Sequence, residues 1–286
     1  MKVLKFVKMV ASGNDFLVVD RFKHSNLPVS TAKLSDFSRY ACDRKFGVGA
    51  DGVLVLEPFK GADFRMRIFN VDGSEAEMCG NGSRCAALYY TSMIMRSKRC
   101  SKRLKIKTMA GLLQAQVNSD IVKVKLTDPK DLKLDVPLKI NGKVFNVHFI
   151  NTGVPHVVFF SDRLSKLDIV PIAREIRFHK KFKPAGTNVN FVTIENNSNI
   201  KIRTYERGVE AETLSCGTGS TAAAIIAGVL FNRKGNIKIK VKPVSKEKLL
   251  ICYNVISKKQ VTDVWLEGKA DIVYKGEVSK DLIGCN

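Results

Sequence analysis

The chain has 286 residues, 45% of them hydrophobic and 26% charged, with a formal net charge of +21 at pH 7. This length suggests about two domains whose cores need no disulfide staples, and no apolar run approaches the ~20 residues of a membrane-spanning helix. Seven cysteines, none in CxxC spacing, and four isolated histidines argue against a disulfide framework and a structural zinc site.

The first ten residues alternate apolar and polar. Lys5 and Lys8 interrupt what would have to be about 7–15 consecutive apolar residues in a secretory signal, so the stretch reads as an amphipathic strand and the expected location is cytoplasmic. A strand over 15–20 and a helix over 30–45 follow. Gly47-Val48-Gly49-Ala50-Asp51-Gly52 matches the dinucleotide pattern G-x-G-x-x-G, but a strand over 52–57 comes after it where a helix is required, so no nucleotide cofactor is expected. Then come a strand over 64–70, a helix over 83–95, and strands over 103–109, 112–118 and 121–126. The basic run 96–107 has no interleaved aromatics and reads as a solvated turn entering a strand, not as a nucleic-acid site. The second series has strands over 144–151, 190–194, 200–206, 237–241, 249–255 and 261–267, with helices over 170–178 and 219–231. No low-complexity linker separates the halves. The boundary is placed at 118–120, giving one domain over 1–118 completed by 265–286 and a second over 119–264.

An internal repeat is the most informative feature. Residues Arg67 to Ser83 and Arg203 to Ser220 both run basic–x–aromatic, polar turn, Glu-Ala-Glu and Cys-Gly-x-Gly-Ser, with one residue inserted in the second copy. Each copy leads into a helix that is apolar almost all round, hence buried. The predicted fold class is α+β: two similar pseudo-symmetric domains, each a strongly curved mixed β-sheet or barrel wrapped round a central buried helix. Each helix starts at a cysteine, Cys79 or Cys216.

A helix start presents unpaired N–H groups and the positive end of the macrodipole, which lower a thiol pKa and hold a carboxylate. The glycines of Cys-Gly-Asn-Gly and Cys-Gly-Thr-Gly are expected to let the backbone approach a ligand closely. Two such cradles meeting on one carboxylate would set a thiol on each side of the adjacent carbon. One thiolate removes the α-proton, the opposing thiol returns one, and the amides stabilise the carbanion without a cofactor or metal.

At these residues the chain resembles the diaminopimelate epimerases over nearly its whole length. The shared motifs are Gly13-Asn14-Asp15-Phe16, the segment from Phe69 to Cys85, Thr152-Gly153-Val154-Pro155-His156, Gly186 to Phe191, and the segment from Tyr205 to Gly219. The resemblance implies interconversion of LL- and meso-2,6-diaminopimelate, in the supply of lysine and peptidoglycan precursors, by a homodimer. It makes Cys79 and Cys216 the acid–base pair, supported by His156 and Glu206. It also implies that the amides of Gly80, Asn81, Gly217 and Thr218 hold the reacting carboxylate. Asn14, Asn70, Asn188, Glu206 and Arg207 would read the other polar groups, Arg207 through bidentate pairing.

The sequence departs from the family pattern at Val154, where asparagine is common, at Gly52, where some members have glutamine, and at Glu210-Ala211, which adds a residue. A proline-type racemase is the alternative on the same fold, although such relatives commonly have histidine where this chain has Asn81. From other classes, a thiol hydrolase with Cys79 as nucleophile and His156 as base leaves Cys216 and the repeat unexplained, and a basic nucleic-acid-binding module is discriminated by salt-sensitive binding to a generic duplex. No partner beyond the small-molecule substrate and a second copy of the chain is expected, neither a specific nucleic acid nor a membrane.

Overall fold

The computed structural model describes residues 3–22, 31–95, 101–140, 142–162, 164 and 167–279. The chain forms two compact units, Met1–Val124 with Gly268–Asn286, and Lys125–Glu267. Among the described residues no helix is long and apolar enough to cross a membrane.

The first unit contains β1 (Val3–Ala11), β2 (Asn14–Asp20), β3 (Gly52–Glu57), β4 (Phe64–Asn70), the two-residue β5 (Glu75–Ala76), β6 (Lys102–Thr108), β7 (Gly111–Asn118), β8 (Ile121–Lys125) and, from the far end of the chain, β18 (Asp271–Ser279). They pair in the order β18-β1-β2-β3-β4-β6-β7-β8, with β5 also on β4. Every pairing is antiparallel except β2–β3 and β4–β6.

The second unit contains β9 (Lys130–Ile140), β10 (Lys143–Asn151), β11 (Pro155–Phe160), β12 (Asn188–Asn196), β13 (Asn199–Glu206), β14 (Ala211–Thr213), β15 (Gly235–Lys242), β16 (Leu249–Ser257) and β17 (Gln260–Lys269). Its order is β9-β10-β11-β12-β13-β15-β16-β17, with β14 on β13 and parallel pairs at β11–β12 and β13–β15. The two pairing schemes are identical strand for strand, β18 taking in the first unit the place of β9 in the second. The mixed sheets match the predicted class. They are open rather than closed barrels: among the described residues the outer strands β18 and β8 of the first unit, and β9 and β17 of the second, do not pair with each other.

Each sheet is covered on both faces. On one face α1 (Thr31–Cys42) lays Leu34, Phe37, Ala41 and Cys42 against Leu17, Val53, Val55 and Phe69; in the second unit α3 (Ile169–Arg177) packs Ile169, Ala173 and Ile176 on Val157, Val189 and Phe191. The other face wraps α2 (Gly80–Tyr89), which touches β1, β2, β3, β4, β7 and β18, or α4 (Gly217–Leu230), which touches β10, β11, β12, β13, β15 and β16. A helix reached by strands from across the sheet requires that sheet to curl round it. All ten residues of α2 are buried, as is every residue of α4 from Gly219 to Val229, which is why neither helix shows a polar stripe. Covering on both faces also explains why β3 is buried at all its positions instead of alternating.

Three longer strands had no counterpart in the sequence reading. Pro137 lies inside β9, and proline weakens a strand assignment because it cannot donate to the ladder; β9 is the edge strand of its sheet, where that loss is tolerated. Strand β11 begins with Pro155 and His156 of the proline–histidine motif itself, and β18 lies in the segment assigned only to completing the first domain.

Candidate functional site

Both repeat cysteines are helix N-caps. Cys79 (φ −139°, ψ 121°) and Cys216 (φ −117°, ψ 116°) take the extended conformation typical of that position, and each sulfur accepts the N–H three residues on, Gly82 N and Gly219 N, at 3.4 Å. Each cysteine carbonyl accepts the next amide, from Ser83 and from Ser220. The first helical amides lack intrahelical partners by geometry; those of Gly80 and Asn81, and of Gly217 and Thr218, complete the two helix starts.

The strand registers bring the other predicted residues to the same end of each sheet. In the first unit Asn14 opens β2, Gly52 opens β3, and Asn70, the last residue of β4, pairs with Gly52. Asn14 donates from Nδ2 to Asp51 Oδ2 (3.0 Å) and accepts at Oδ1 from Asn81 Nδ2 (2.7 Å). Asn70 is exposed and donates to Ser74 Oγ at 3.0 Å. In the second unit His156 pairs with Asn188 across β11 and β12, and Glu206 ends β13 beside them. Asn188 accepts at Oδ1 from the Arg207 amide (2.9 Å) and donates to the Pro155 carbonyl (3.1 Å), while the Arg207 guanidinium reaches the Ala185 carbonyl at 3.2 Å.

The structure realigns the repeat. Arg67 pairs bidentately with Glu75 (2.7 and 2.7 Å) and Arg203 with Glu212 (2.7 and 2.6 Å). Phe69 faces Glu75 across β4–β5, and Tyr205 faces Glu212 across β13–β14. Glu75 therefore corresponds to Glu212, four residues before each cysteine, so the shared Glu-Ala-Glu string is not a structural match. The inserted residue lies in the preceding turn, where Glu210 takes a left-handed φ of 56° and binds Arg177 at 2.9 Å.

Two other expectations change. The second glycine of each loop faces the interior of its own unit. A Cβ on Gly82 would stand 3.1 Å from Leu54 Cδ2, and one on Gly219 would overlap Asn190 Oδ1, so these glycines seat the helix on its sheet instead of admitting a ligand. The predicted lowering of the thiol pKa is also reversed at Cys216. Burial pushes it up and the neighbouring Glu206 carboxylate adds to this, against opposing hydrogen bonds from Thr218 and the Gly219 amide. Desolvation of a cysteine only 7% exposed outweighs the helix-start donors. Glu206 is raised in turn by burial, opposed by hydrogen bonds to Thr213 and Cys216. Both groups are thereby held toward their protonated forms in the same buried surroundings.

His156 is fully buried. Burial, with the Arg207 charge adding to it, lowers its pKa to about 3, so the ring is neutral. Asn190 Nδ2 donates to the Val157 carbonyl (2.8 Å), which fixes that amide and presents an N–H to His156 Nδ1 at 3.1 Å. The proton of the neutral imidazole therefore sits on Nε2. Asn190, Thr213 and Asp51 were not singled out in the sequence. The signal available for Asn190 was its two-residue spacing from Asn188, which puts both on one face of β12.

The family model described as diaminopimelate epimerase matches residues 6–131 and 148–262. The chain belongs to the diaminopimelate epimerase family. It is 45% identical to the diaminopimelate epimerase of Archaeoglobus fulgidus over 86% of this chain and 88% of that one. With the diaminopimelate epimerase of Aquifex aeolicus the identity is 40%, over 98% and 99%. Membership makes the chain an isomerase of the epimerase type. The fold extends further than the family: a PhzF-family phenazine biosynthesis protein of Bacillus anthracis superposes with a TM-score of 0.76 at 17% identity, over 98% of this chain and all of that one. A hydroxyproline epimerase of Agrobacterium vitis gives 0.72 at 14%, over 98% and 93%.

Proposed function

We propose that this member of the diaminopimelate epimerase family interconverts LL- and meso-2,6-diaminopimelate by two-base proton transfer at one α-carbon, with Cys79 and Cys216 as the acid–base pair. The carrying observation is that both thiols cap the starts of buried helices at matching places in a duplicated unit. An N–H···S hydrogen bond from the helix start favours the thiolate, and the amides of Gly80, Asn81, Gly217 and Thr218 are suited to a carboxylate whose charge grows as the carbanion forms.

In this scheme Cys216 becomes a base by passing its proton to Glu206, whose raised proton affinity suits it as acceptor. In the LL-to-meso direction Cys216 takes the α-proton and Cys79 donates; the roles exchange in reverse. Neutral His156 offers a fixed N–H donor in support. Asn14, Asn70, Asn188, Glu206 and Arg207 read the remaining ammonium and carboxylate groups, Arg207 by a bidentate pair. The chain's own groups supply both proton transfers, and the scheme calls for neither metal nor cofactor. A cytoplasmic homodimer working on a small molecule in lysine and peptidoglycan-precursor supply is the accompanying reading.

Solvent exchange tests it. In heavy water with LL-diaminopimelate, deuterium should enter one α-position as the meso isomer forms, and Cys79→Ala or Cys216→Ala should each abolish epimerisation. Retention of turnover in Cys216→Ala would point to single-thiol chemistry instead.

A further inference from the structure

Arg84 lies within α2 with no solvent exposure, the one charged residue of a helix whose ten residues are all buried. Burying a guanidinium is costly unless the charge is put to use. Its Nη2 donates to Asn81 Oδ1 at 2.6 Å and to Ser12 Oγ at 2.8 Å. Asn81 Nδ2 donates to Asn14 Oδ1 at 2.7 Å, and Asn14 Nδ2 to Asp51 Oδ2 at 3.0 Å. Asp51 in turn meets Arg44 at 2.9 Å.

An asparagine amide taken alone can present either end. A chain of two amides that begins at a group able only to donate and ends at one able only to accept has a single allowed orientation. Arginine keeps its proton throughout the working pH range, and an ionised aspartate offers acceptors only, so the polarity of this chain is set by charge at both ends. Each asparagine is left with one N–H and one lone pair of defined direction.

The duplicated unit serves as an internal control. Five residues after Cys216, where Arg84 stands five after Cys79, α4 has Thr221, equally buried, its hydroxyl donating to the Gly217 carbonyl at 2.9 Å. The corresponding buried helix forms there without a charge, so a charge at this position is not a general requirement of the duplicated unit.

We infer that Arg84 is a positioning residue, which orients the Asn81–Asn14 amide pair and thereby decides which polar groups of the substrate this half-site accepts. The inference rests on the proposed substrate-binding role of the Asn14 side chain, which the Asn81 side chain holds in place, the proposed contact of Asn81 itself being through its backbone amide. Steady-state kinetics on the full chain with LL-diaminopimelate, together with thermal melts, test it. Arg84→Met should raise KM about tenfold, the equivalent of one hydrogen bond, while kcat stays within about threefold. Arg84→Lys, which restores a donor, should recover part of that loss. Asp51→Ala removes the opposite terminus at a part-exposed position and should raise KM in the same direction, which keeps the inference testable if Arg84→Met does not fold. An unchanged KM in a folded Arg84→Met or Asp51→Ala variant, or a fall in melting temperature with KM unmoved, overturns it. A wild-type chain silent toward diaminopimelate overturns the proposed function and this inference together, whereas an active wild type with unmoved variants overturns the inference alone.

Discussion

Gly82 and Gly219 hold the same place in the duplicated loops but are backed by different chemistry, and alanine substitution at each separates the consequences. A Cβ at 219 would overlap Asn190 Oδ1, with Cys216 Cβ 3.3 Å away. Asn190 accepts there from Thr204 Oγ1 at 3.0 Å and holds His156 through its other end, all of it buried. Overpacking costs about 1–3 kcal/mol, and breaking a buried hydrogen bond about 1–3 kcal/mol. The gain in helix propensity from Gly to Ala returns at most about 1 kcal/mol. The net loss is about 3 kcal/mol, a melting point lower by roughly 6–12 °C for a protein of this size. At 82 the nearest atom is a leucine methyl at 3.1 Å, the mobile end of a side chain. Moving it costs about as much as the propensity gain, so Gly82→Ala should melt within about 3 °C of wild type. Calorimetric melts of the two variants decide the matter, with kcat alongside. Gly219→Ala should also lose turnover, because His156 loses the partner that fixes its tautomer. A Gly219→Ala protein as stable as wild type would refute the tight seating of α4 against Asn190, and a Gly82→Ala protein as unstable as Gly219→Ala would refute the yielding contact assigned to Gly82.

Glu206→Gln removes a charge that holds the Cys216 proton in place. Unit charges about 4 Å apart interact by about 4 kcal/mol at an effective dielectric near 20, so alkylation of Cys216 by iodoacetamide at pH 8 should quicken at least about tenfold. Turnover should fall because the proton acceptor is gone. Slower alkylation in this variant would contradict the hold of the Glu206 carboxylate on the Cys216 proton. The raised Cys216 thiol also gives stability a sign in alkali. The folded chain keeps a proton that the unfolded chain releases above the ordinary value of 9.0, so this contribution is complete below that pH and is lost as the pH climbs toward the folded value. Cys42, raised by burial to about 11, acts in the same direction. Urea melts between pH 8 and 11 should therefore show a steep decline in the wild type and a shallower one in Cys216→Ala; identical slopes would exclude the contribution. Lastly, Gly228→Ala should destabilise more than an ordinary helix Gly→Ala. Its Cβ would collide with the Tyr253 hydroxyl, which donates to the Ala224 carbonyl at 2.7 Å; a gain in melting temperature would count against that packing.

Local pattern carried much of this protein. Period-two alternation placed most strands, apolar runs bounded by glycine or polar turns placed the four helices, and repetition of Cys-Gly-x-Gly revealed the duplication, because these signals depend on neighbours along the chain. Even there the repeat misled by one register. Glu-Ala-Glu matches as a string, yet it is Glu212, not Glu210, that answers to Glu75, since the bidentate pairing with arginine is made across strands. Residue type and position were enough to mark Cys79 and Cys216 as helix starts.

Only the tertiary structure decided what surrounds those sulfurs. Whether a helix-start thiol is lowered or raised depends on a competition between local amides and burial plus a carboxylate brought from another strand, and sequence order does not encode the second term. The same applies to Asn190 behind His156 and to Arg84 behind Asn81, partners 34 and 3 residues away whose roles follow from orientation inside a packed interior. The chain alone marked most of the elements and pointed to the two thiols as the candidate reactive atoms. The direction of each amide, the ionisation of each buried group and the purpose of each glycine were settled by packing.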